Sequence, residues 1–318
     1  MKKILVALVV VCIVAIAAVY ILIPKTLVVE ETVNLPCVPA AAFRNLSDES
    51  NWKKWWPSAG VPDDVKVPAG AYLFSNNQYS LSKKGINILQ VLIGDQKDSL
   101  SSEIHLLAIP TDSTIVRWKL DIDAGSNPFS RISEYRRAVS LKKDMHTILK
   151  SIQAHLSDIN NVYGVTFHEG PVTDTLLITT KSTVAELPSV DYVYSRINKL
   201  KDFCSRENCR VTGTPMLNIT PLHPAGYRVM VALPIDRFMQ PKNSADSIEG
   251  VKLVGRKFII ADVTGGEQKV AFIHQQMRFY FQDYGRMLMA IPFDYLITDR
   301  QKETDTSKWK TKIYAPVF

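Results

Sequence analysis

A single acidic residue on an otherwise apolar strand, Asp294, has the type and position in this sequence that most strongly suggest chemistry. The run Pro292–Thr298 alternates as a half-buried strand does, so Phe293 and Tyr295 share one face while Asp294 and Leu296 share the other. Two interpretations stay open: a solvated surface carboxylate, or an acid in an aromatic cleft that receives a cationic or hydrogen-bond-donating ligand.

The rest of the chain offers few candidates for chemistry. It contains no HExxH, P-loop, GxSxG or CxxC motif, and its six histidines are scattered. We therefore predict no catalytic residue, no metal site and no cofactor.

Two of the four cysteines, Cys204 and Cys209, are five residues apart. Five helical residues rise about 7.5 Å, beyond the roughly 7 Å limit between the Cα atoms of a disulfide. A bridge therefore requires the helix to end near Asn208, and the alternative is a pair of free thiols.

The length and net charge of the chain limit the classes of protein to which it can belong. The 318 residues predict about two domains, since a domain is commonly about 100–200 residues long. The net charge is +7, but the basic residues are spread without a block of like charge, so we predict no nucleic-acid partner.

The N-terminus is a continuous apolar run, Ile4–Ile23, preceded by Lys2 and Lys3. Twenty helical residues span about 30 Å, the thickness of a bilayer core. The positive excess at the front places the N-terminus in the cytosol. We expect residues 1–25 to be an uncleaved single-pass membrane anchor, with the remaining domains extracytoplasmic (periplasmic in a Gram-negative cell). A cleaved signal peptide is the alternative, although its apolar region would be shorter.

Residues 26–159 form the predicted first domain. A strand at Thr26–Leu35 precedes a short helix from Pro39 to Leu46, several strands, and a long helix from about Ser133 to Ser157. The apolar positions of that helix recur at helical spacing: Tyr135, Val139, Met145, Ile148, Leu149, Ile152 and Leu156.

This order resembles the helix-grip fold of the SRPBCC (START-like, polyketide cyclase-like) superfamily. The matching stretches are LPCVPAAAFRNLSDESNWKKWWP after the first strand and VRWKLDID before NPFSRI, and the resemblance spans Lys25–Asp158. It implies a cavity between sheet and helix that holds an apolar ligand, with Trp118, Met145 and Leu149 as the contacts that we predict.

Residues 160–318 form the predicted second domain, which repeats itself. Each half reads strand, helix, strand, strand, with helices at Val190–Cys204 and Glu267–Tyr284 and a long strand at Val251–Val263 that opens the second half. TPMLNIT in the first half parallels IPFDYLIT in the second, so Leu217 stands where Asp294 stands. A pseudo-two-fold pair of such units predicts a central groove with one acid.

With DTSKWKTKIYAPV at its end, this half resembles the GyrI-like effector-binding domain, also found fused to AraC-type regulators, over Asn161–Phe318. The resemblance implies a ligand-contacting acid for cationic drug-like molecules. The family's glutamate position falls on Asp294, which is one methylene shorter, and Leu296 replaces the usual aromatic residue. Four aromatic residues are predicted to line the groove: Tyr280, Tyr284, Phe293 and Tyr295.

Together these patterns predict an α+β protein with a helix-grip domain, a GyrI-like domain of two pseudo-repeats and an N-terminal transmembrane helix. We expect it to bind lipophilic or cationic small molecules without catalysis. Two alternatives stay open: a hydrolase or cyclase acting on a lipophilic ligand, in which an acid of raised pKa could act as general base, and a sensor that signals through the membrane helix.

The predicted topology can be tested with reporters fused after Phe318. A reporter that is active only outside the cytosol should be active, because the lysines precede the apolar run. Activity from a cytosolic reporter instead would contradict the predicted topology and reopen nucleic-acid binding.

Overall fold

The computed structural model describes residues 2–57, 68, 70–95, 98–241, 247–253, 257–288 and 290–317. The chain divides into two compact units, a first unit of residues 1–162 and a second unit of residues 163–318. Each unit is built on one large antiparallel sheet with helices packed against it. The predicted α+β class is therefore confirmed.

Helix α1 (Lys2–Leu22) is the N-terminal apolar helix. Its stretch Lys3–Leu22 has a mean hydropathy of 3.3 and is not buried, so it is long and apolar enough to cross a membrane. The end of the helix is tied to the first unit, because the Tyr20 hydroxyl donates a hydrogen bond to the Ser126 carbonyl over 2.7 Å. The Arg131 guanidinium lies 4.5 Å from the centre of the Tyr20 ring.

The first unit has a six-stranded sheet in the order β1-β6-β5-β4-β3-β2. The long helix α4 packs mainly on β1, which gives the predicted helix-grip arrangement. The elements are β1 (Thr26–Leu35), α2 (Pro39–Leu46), α3 (Glu49–Trp52), β2 (Ala71–Phe74), β3 (Asn77–Lys84), β4 (Ile88–Gly94), β5 (Ser99–Ile109), β6 (Ser113–Asp123) and α4 (Pro128–Leu156). The short helix α5 (Ile159–Tyr163) follows, and its last residue, Tyr163, belongs to the second unit.

Helix α4 begins five residues before the predicted start at Ser133. Asn127 is its N-cap, and the Asn127 side chain accepts a hydrogen bond from the Phe129 backbone amide over 2.8 Å. Pro128 occupies the first helical position, where its missing N–H costs nothing. Asn127 and Pro128 therefore start the helix before the first apolar position of the predicted stripe.

The buried face of α4 also differs in part from the predicted stripe. Tyr135 and Val139 are 48% and 40% exposed, whereas Ala138 and Leu141 are buried. One residue along a helix turns the side chain by about 100°, so the stripe that starts at Ala138 excludes Val139. The remaining predicted positions are buried: Met145, Ile148, Leu149, Ile152 and Leu156.

A buried carboxylate, Asp144, fixes α4 to the β2–β3 hairpin. It accepts hydrogen bonds from the Ser75 hydroxyl (2.9 Å), the Asn77 amide (3.2 Å) and the Tyr79 hydroxyl (3.4 Å). Burial, followed by the charge of Asp144, raises the pKa of Tyr79. Three donors compensate the desolvated acid, so this carboxylate is a structural group of the core.

The second unit has an eight-stranded sheet in the order β11-β8-β10-β9-β13-β14-β12-β7. The predicted strand Val251–Val263 is two strands, with residues 254–256 outside the described part. The elements are β7 (Phe167–Gly170), β8 (Leu176–Val184), α6 (Val190–Arg206), β9 (Met216–Pro221), β10 (Tyr227–Pro234), β11 (Ile248–Lys252), β12 (Lys257–Thr264), α7 (Glu267–Asp283), β13 (Phe293–Leu296) and β14 (Lys310–Val317).

The strand order of the second unit shows the predicted internal repeat. The run β8-β10-β9 is mirrored by β13-β14-β12, so the second strands of the two halves, β9 and β13, pair at the centre. Leu217 lies opposite Asp294, and Met216 lies opposite Tyr295. The two positions that align in sequence are therefore direct neighbours at the pseudo-two-fold axis.

The C-terminal end of α6 brings the two cysteines together. The helix ends at Arg206, Asn208 has a φ of 52°, and the Cys209 amide donates to the Cys204 carbonyl over 2.9 Å. Both are buried free thiols in this structure. Burial, followed by the Cys209 thiol, raises the pKa of Cys204 to about 12.

The packing of α4 predicts the cost of truncating its buried face. Leu149 is 1% exposed, so Leu149→Ala should lower the free energy of unfolding by about 2–5 kcal/mol, because it removes buried methyl groups and leaves a cavity. Val139→Ala on the same helix should change it by less than about 0.5 kcal/mol. Equal effects of the two substitutions, measured by chemical denaturation, would contradict this orientation of α4.

Candidate functional site

A central groove crosses the helix-bearing face of the second unit and has a volume of about 580 Å³. Helices α6 and α7 form its walls, and β9 and β13 form its floor. Most of its wall and floor side chains are apolar, and they include Val193, Leu217, Val270, Ala271, Met277, Phe281, Leu296, and, towards the rim, Leu187, Leu288 and Ile291.

The groove follows from the internal repeat. Each half packs its own helix over its own core, with Ile197 and Leu200 buried beneath α6 and Ile273 and Phe281 buried beneath α7. The central strand β13 has only four residues. A space therefore remains between the two helices, above the β9–β13 pair.

Asp294 lies on the floor of this groove. Its Oδ1 atom is 2.8 Å from Nε2 of His274, which projects from α7. The side chains are 14% exposed for Asp294 and 31% exposed for His274. The acid is thus neither a freely solvated strand carboxylate nor paired with a lysine or tyrosine, since its partner is an imidazole.

A partly buried guanidinium, Arg300, lies in the groove lining beyond Asp294. It donates to the Thr311 hydroxyl over 3.0 Å and lies 4.7 Å from the centre of the Trp309 ring. Burial lowers the pKa of Arg300, while the carboxylates of Glu267 and Asp294 act in the opposite direction. Arg300 therefore adds positive charge next to the acid.

Tyr194 of α6 completes the polar part of the groove. Its hydroxyl accepts a hydrogen bond from the Arg300 backbone amide over 2.7 Å and donates to the Thr298 carbonyl over 3.4 Å. Burial raises the pKa of Tyr194. The hydroxyl is thus a neutral group that fixes the loop after β13.

The aromatic side chains next to Asp294 point away from the groove. Phe293 and Tyr295 lie on the opposite face of the sheet, where they pack with Phe258 and Tyr314. Successive strand side chains alternate between faces, so Phe293 and Tyr295 point to the face opposite Asp294. Among the described lining residues, neither of the two predicted contacts appears.

The other predicted contacts also lie outside this groove. Tyr280 packs against Tyr163 and Tyr284, with ring centres 5.5 and 5.0 Å away. In the first unit, Trp118, Met145 and Leu149 are buried, and the Trp118 indole donates to the Ser102 hydroxyl over 2.9 Å. A ligand contact by these last three residues stays a prediction.

Sequence reasoning missed His274 and Arg300. A pattern existed for His274, because it continues the helical spacing of Val270, Met277 and Phe281, which line the groove from α7. Nothing in the sequence indicates Arg300, because it lies in the polar loop after β13 and its position depends on packing against Trp309.

No family model and no curated protein matches the chain. Several solved structures are similar to it at low identity. The C-terminal domain of EcmrR is 14% identical, with 48% of this chain and 98% of that domain covered and a TM-score of 0.37. A hydrolase from Listeria innocua is 11% identical, with 48% and 92% covered and a TM-score of 0.36. The Zhui aromatase/cyclase from Streptomyces sp. R1128 is 10% identical, with 41% and 93% covered and a TM-score of 0.30.

Proposed function

We propose that this protein is a membrane-anchored, non-catalytic binder of lipophilic small molecules, which it holds in the central groove of the second unit. One observation carries the proposal: the groove is lined mostly by apolar side chains and has a single paired carboxylate on its floor. Ligand sites commonly combine apolar walls with a few placed polar groups.

The dimensions of the groove support this proposal. Its volume of about 580 Å³ lies within the range of about 300–1,000 Å³ that is usual for small-molecule sites. A ligand that removes about 200 Å² of apolar surface from water gains about 5 kcal/mol. Part of that gain is lost with the freedom of the bound molecule.

The anchoring part of the proposal rests on α1. A helix with a mean hydropathy of 3.3 whose apolar stretch is unburied in the described chain would expose most of its surface to water if it stood outside a membrane. In a bilayer it would bury that surface at no cost to its backbone, whose hydrogen bonds are internal. The protein would then be held at the membrane, into which lipophilic molecules partition.

An enzyme is the second candidate, and the observation that favours it is the His274–Asp294 pair. A hydrogen-bonded imidazole and carboxylate in a cleft could act as a general base. The two functions differ in the fate of the ligand. A binder returns the bound molecule unchanged after long incubation, whereas a hydrolase or cyclase returns a product that mass spectrometry detects.

Blocking the groove tests the proposal directly. Full-length protein in lipid nanodiscs should be photolabelled by a diazirine-bearing benzyl alcohol on peptides of α7 and β13. Ala271 lines the groove, so Ala271→Trp should reduce that labelling by about tenfold or more, because an indole fills the space that the probe needs.

Gln275→Trp is the matched control, because Gln275 is an exposed residue of the same helix and is not among the groove-lining residues. It should leave labelling unchanged. Equal labelling of Ala271→Trp and Gln275→Trp, with both variants folded, would rule out the groove as the binding site.

Asp294→Asn tests the role of the acid. Two opposite unit charges about 4 Å apart attract each other by roughly 4 kcal/mol near a protein surface and by about 1 kcal/mol in bulk water, so loss of the carboxylate charge should weaken a lipophilic cation by about tenfold or more at about pH 8. The measurement is competition of a naphthylmethyl trimethylammonium ion against the photolabel. Its uncharged isostere, with carbon in place of nitrogen, should compete equally in both proteins. Equal cation affinity in the two proteins would leave Asp294 without a role in binding.

A further inference from the structure

The carboxylate of Asp294 is already paired before any ligand arrives. His274 projects from α7 onto the groove floor, and its Nε2 atom lies 2.8 Å from the Asp294 Oδ1 atom. With only 14% of its side chain exposed, Asp294 has little water around it. A cation that enters the groove must therefore approach a carboxylate whose nearest charged or hydrogen-bonding neighbour is an imidazole.

The other charged groups of the lining do not favour a cation. From α7 come Glu267 and Arg278, from the loop after β13 comes Arg300, and from β10 comes Arg228. Together with Asp294 these give three guanidiniums against two carboxylates. Tyr194 of α6 stays neutral because burial raises its pKa. The described lining is thus positive by one charge before His274 is counted.

Histidine is the side-chain type that usually changes its charge between about pH 5 and 8, and His274 is the histidine of the described lining. When it is protonated, His274 adds a positive charge and completes an ion pair with Asp294. When it is neutral, Nε2–H still donates to Asp294, but the carboxylate charge is no longer cancelled. The protonation state of His274 therefore decides whether the floor of the groove carries a net negative charge.

We propose that His274 determines the ligand charge that the groove accepts: with protonated His274 the groove selects uncharged lipophilic molecules, and it admits lipophilic cations only when His274 is neutral. This inference rests on the proposed ligand-binding function and specifies the class of ligand. It follows by linkage that binding of a cation releases a proton, because the cation and the imidazolium compete for the same carboxylate.

The test uses full-length protein in nanodiscs and the photolabel competition described above. The two competitors are the naphthylmethyl trimethylammonium ion and its uncharged carbon isostere, measured at about pH 5.5 and about pH 8, towards the two ends of the range in which histidine side chains usually change charge. In the wild type, the cation should compete about tenfold or more weakly at the lower pH, whereas the uncharged isostere should compete equally at both.

Two substitutions separate His274 from the other groups. His274→Gln should make cation binding independent of pH and raise it at the lower pH to at least the level seen at the higher pH. His274→Lys, with a permanent charge, should favour the uncharged isostere over the cation at both pH values. His146→Gln, which changes a histidine paired with Glu31 in the first unit, is the control and should keep the wild-type profile.

The outcomes distinguish this inference from the function on which it rests. If neither competitor displaces the label at either pH, the proposed ligand-binding function fails. If both compete but His274→Gln keeps the wild-type pH dependence, the function stands and His274 is not the selecting residue. Strong cation binding by folded His274→Lys would overturn the inference in the same way.

Discussion

The antiparallel pairing of β9 with β13 is the constraint on which the second unit depends. It joins the two halves of the internal repeat, and it sets Asp294 directly opposite Leu217. The Asn218 side-chain amide strengthens the junction by donating to the Pro292 carbonyl over 2.7 Å. Because each half places its helix on the same side of the sheet, this pairing also fixes the space between α6 and α7. A one-residue change of register would turn Asp294 to the opposite face.

The chain uses two carboxylates on apolar elements in opposite ways. Asp144 is buried in the first unit and accepts hydrogen bonds from three side chains, so its desolvation is compensated within the core. Asp294 has His274 as its hydrogen-bond partner, and it lies at the surface of a groove. The first arrangement fixes a helix to a hairpin. The second leaves an acceptor where a ligand can reach it.

The groove combines apolar walls with partly buried ionisable groups. Burial lowers the pKa of Arg300, and the nearby carboxylates of Glu267 and Asp294 oppose that shift. In such a setting the charges are coupled, since each charge changes the free energy of the charged form of the others. The preference of the groove for a ligand is therefore a property of the whole set, and a single acid does not determine it.

The sequence by itself determined much of this architecture. Hydrophobic periodicity and the parallel between TPMLNIT and IPFDYLIT were enough to predict the two halves of the second unit, the helices, the apolar N-terminal helix and the position of Asp294. Such patterns are local in the sequence, so they can be recognised without knowledge of the fold. They failed to predict the aromatic contacts of the groove, because consecutive side chains of a strand point to opposite faces of the sheet. Phe293 and Tyr295 flank Asp294 in sequence but lie on the other face.

Only the tertiary structure decided the partner of Asp294 and the walls around it. His274 is 20 residues from Asp294 along the chain, and Arg300 reaches the groove through its contacts with Trp309 and Thr311. The physical reason is that the charges around a side chain depend on the elements packed against it. The distances between those charges are set only when a helix packs on a strand.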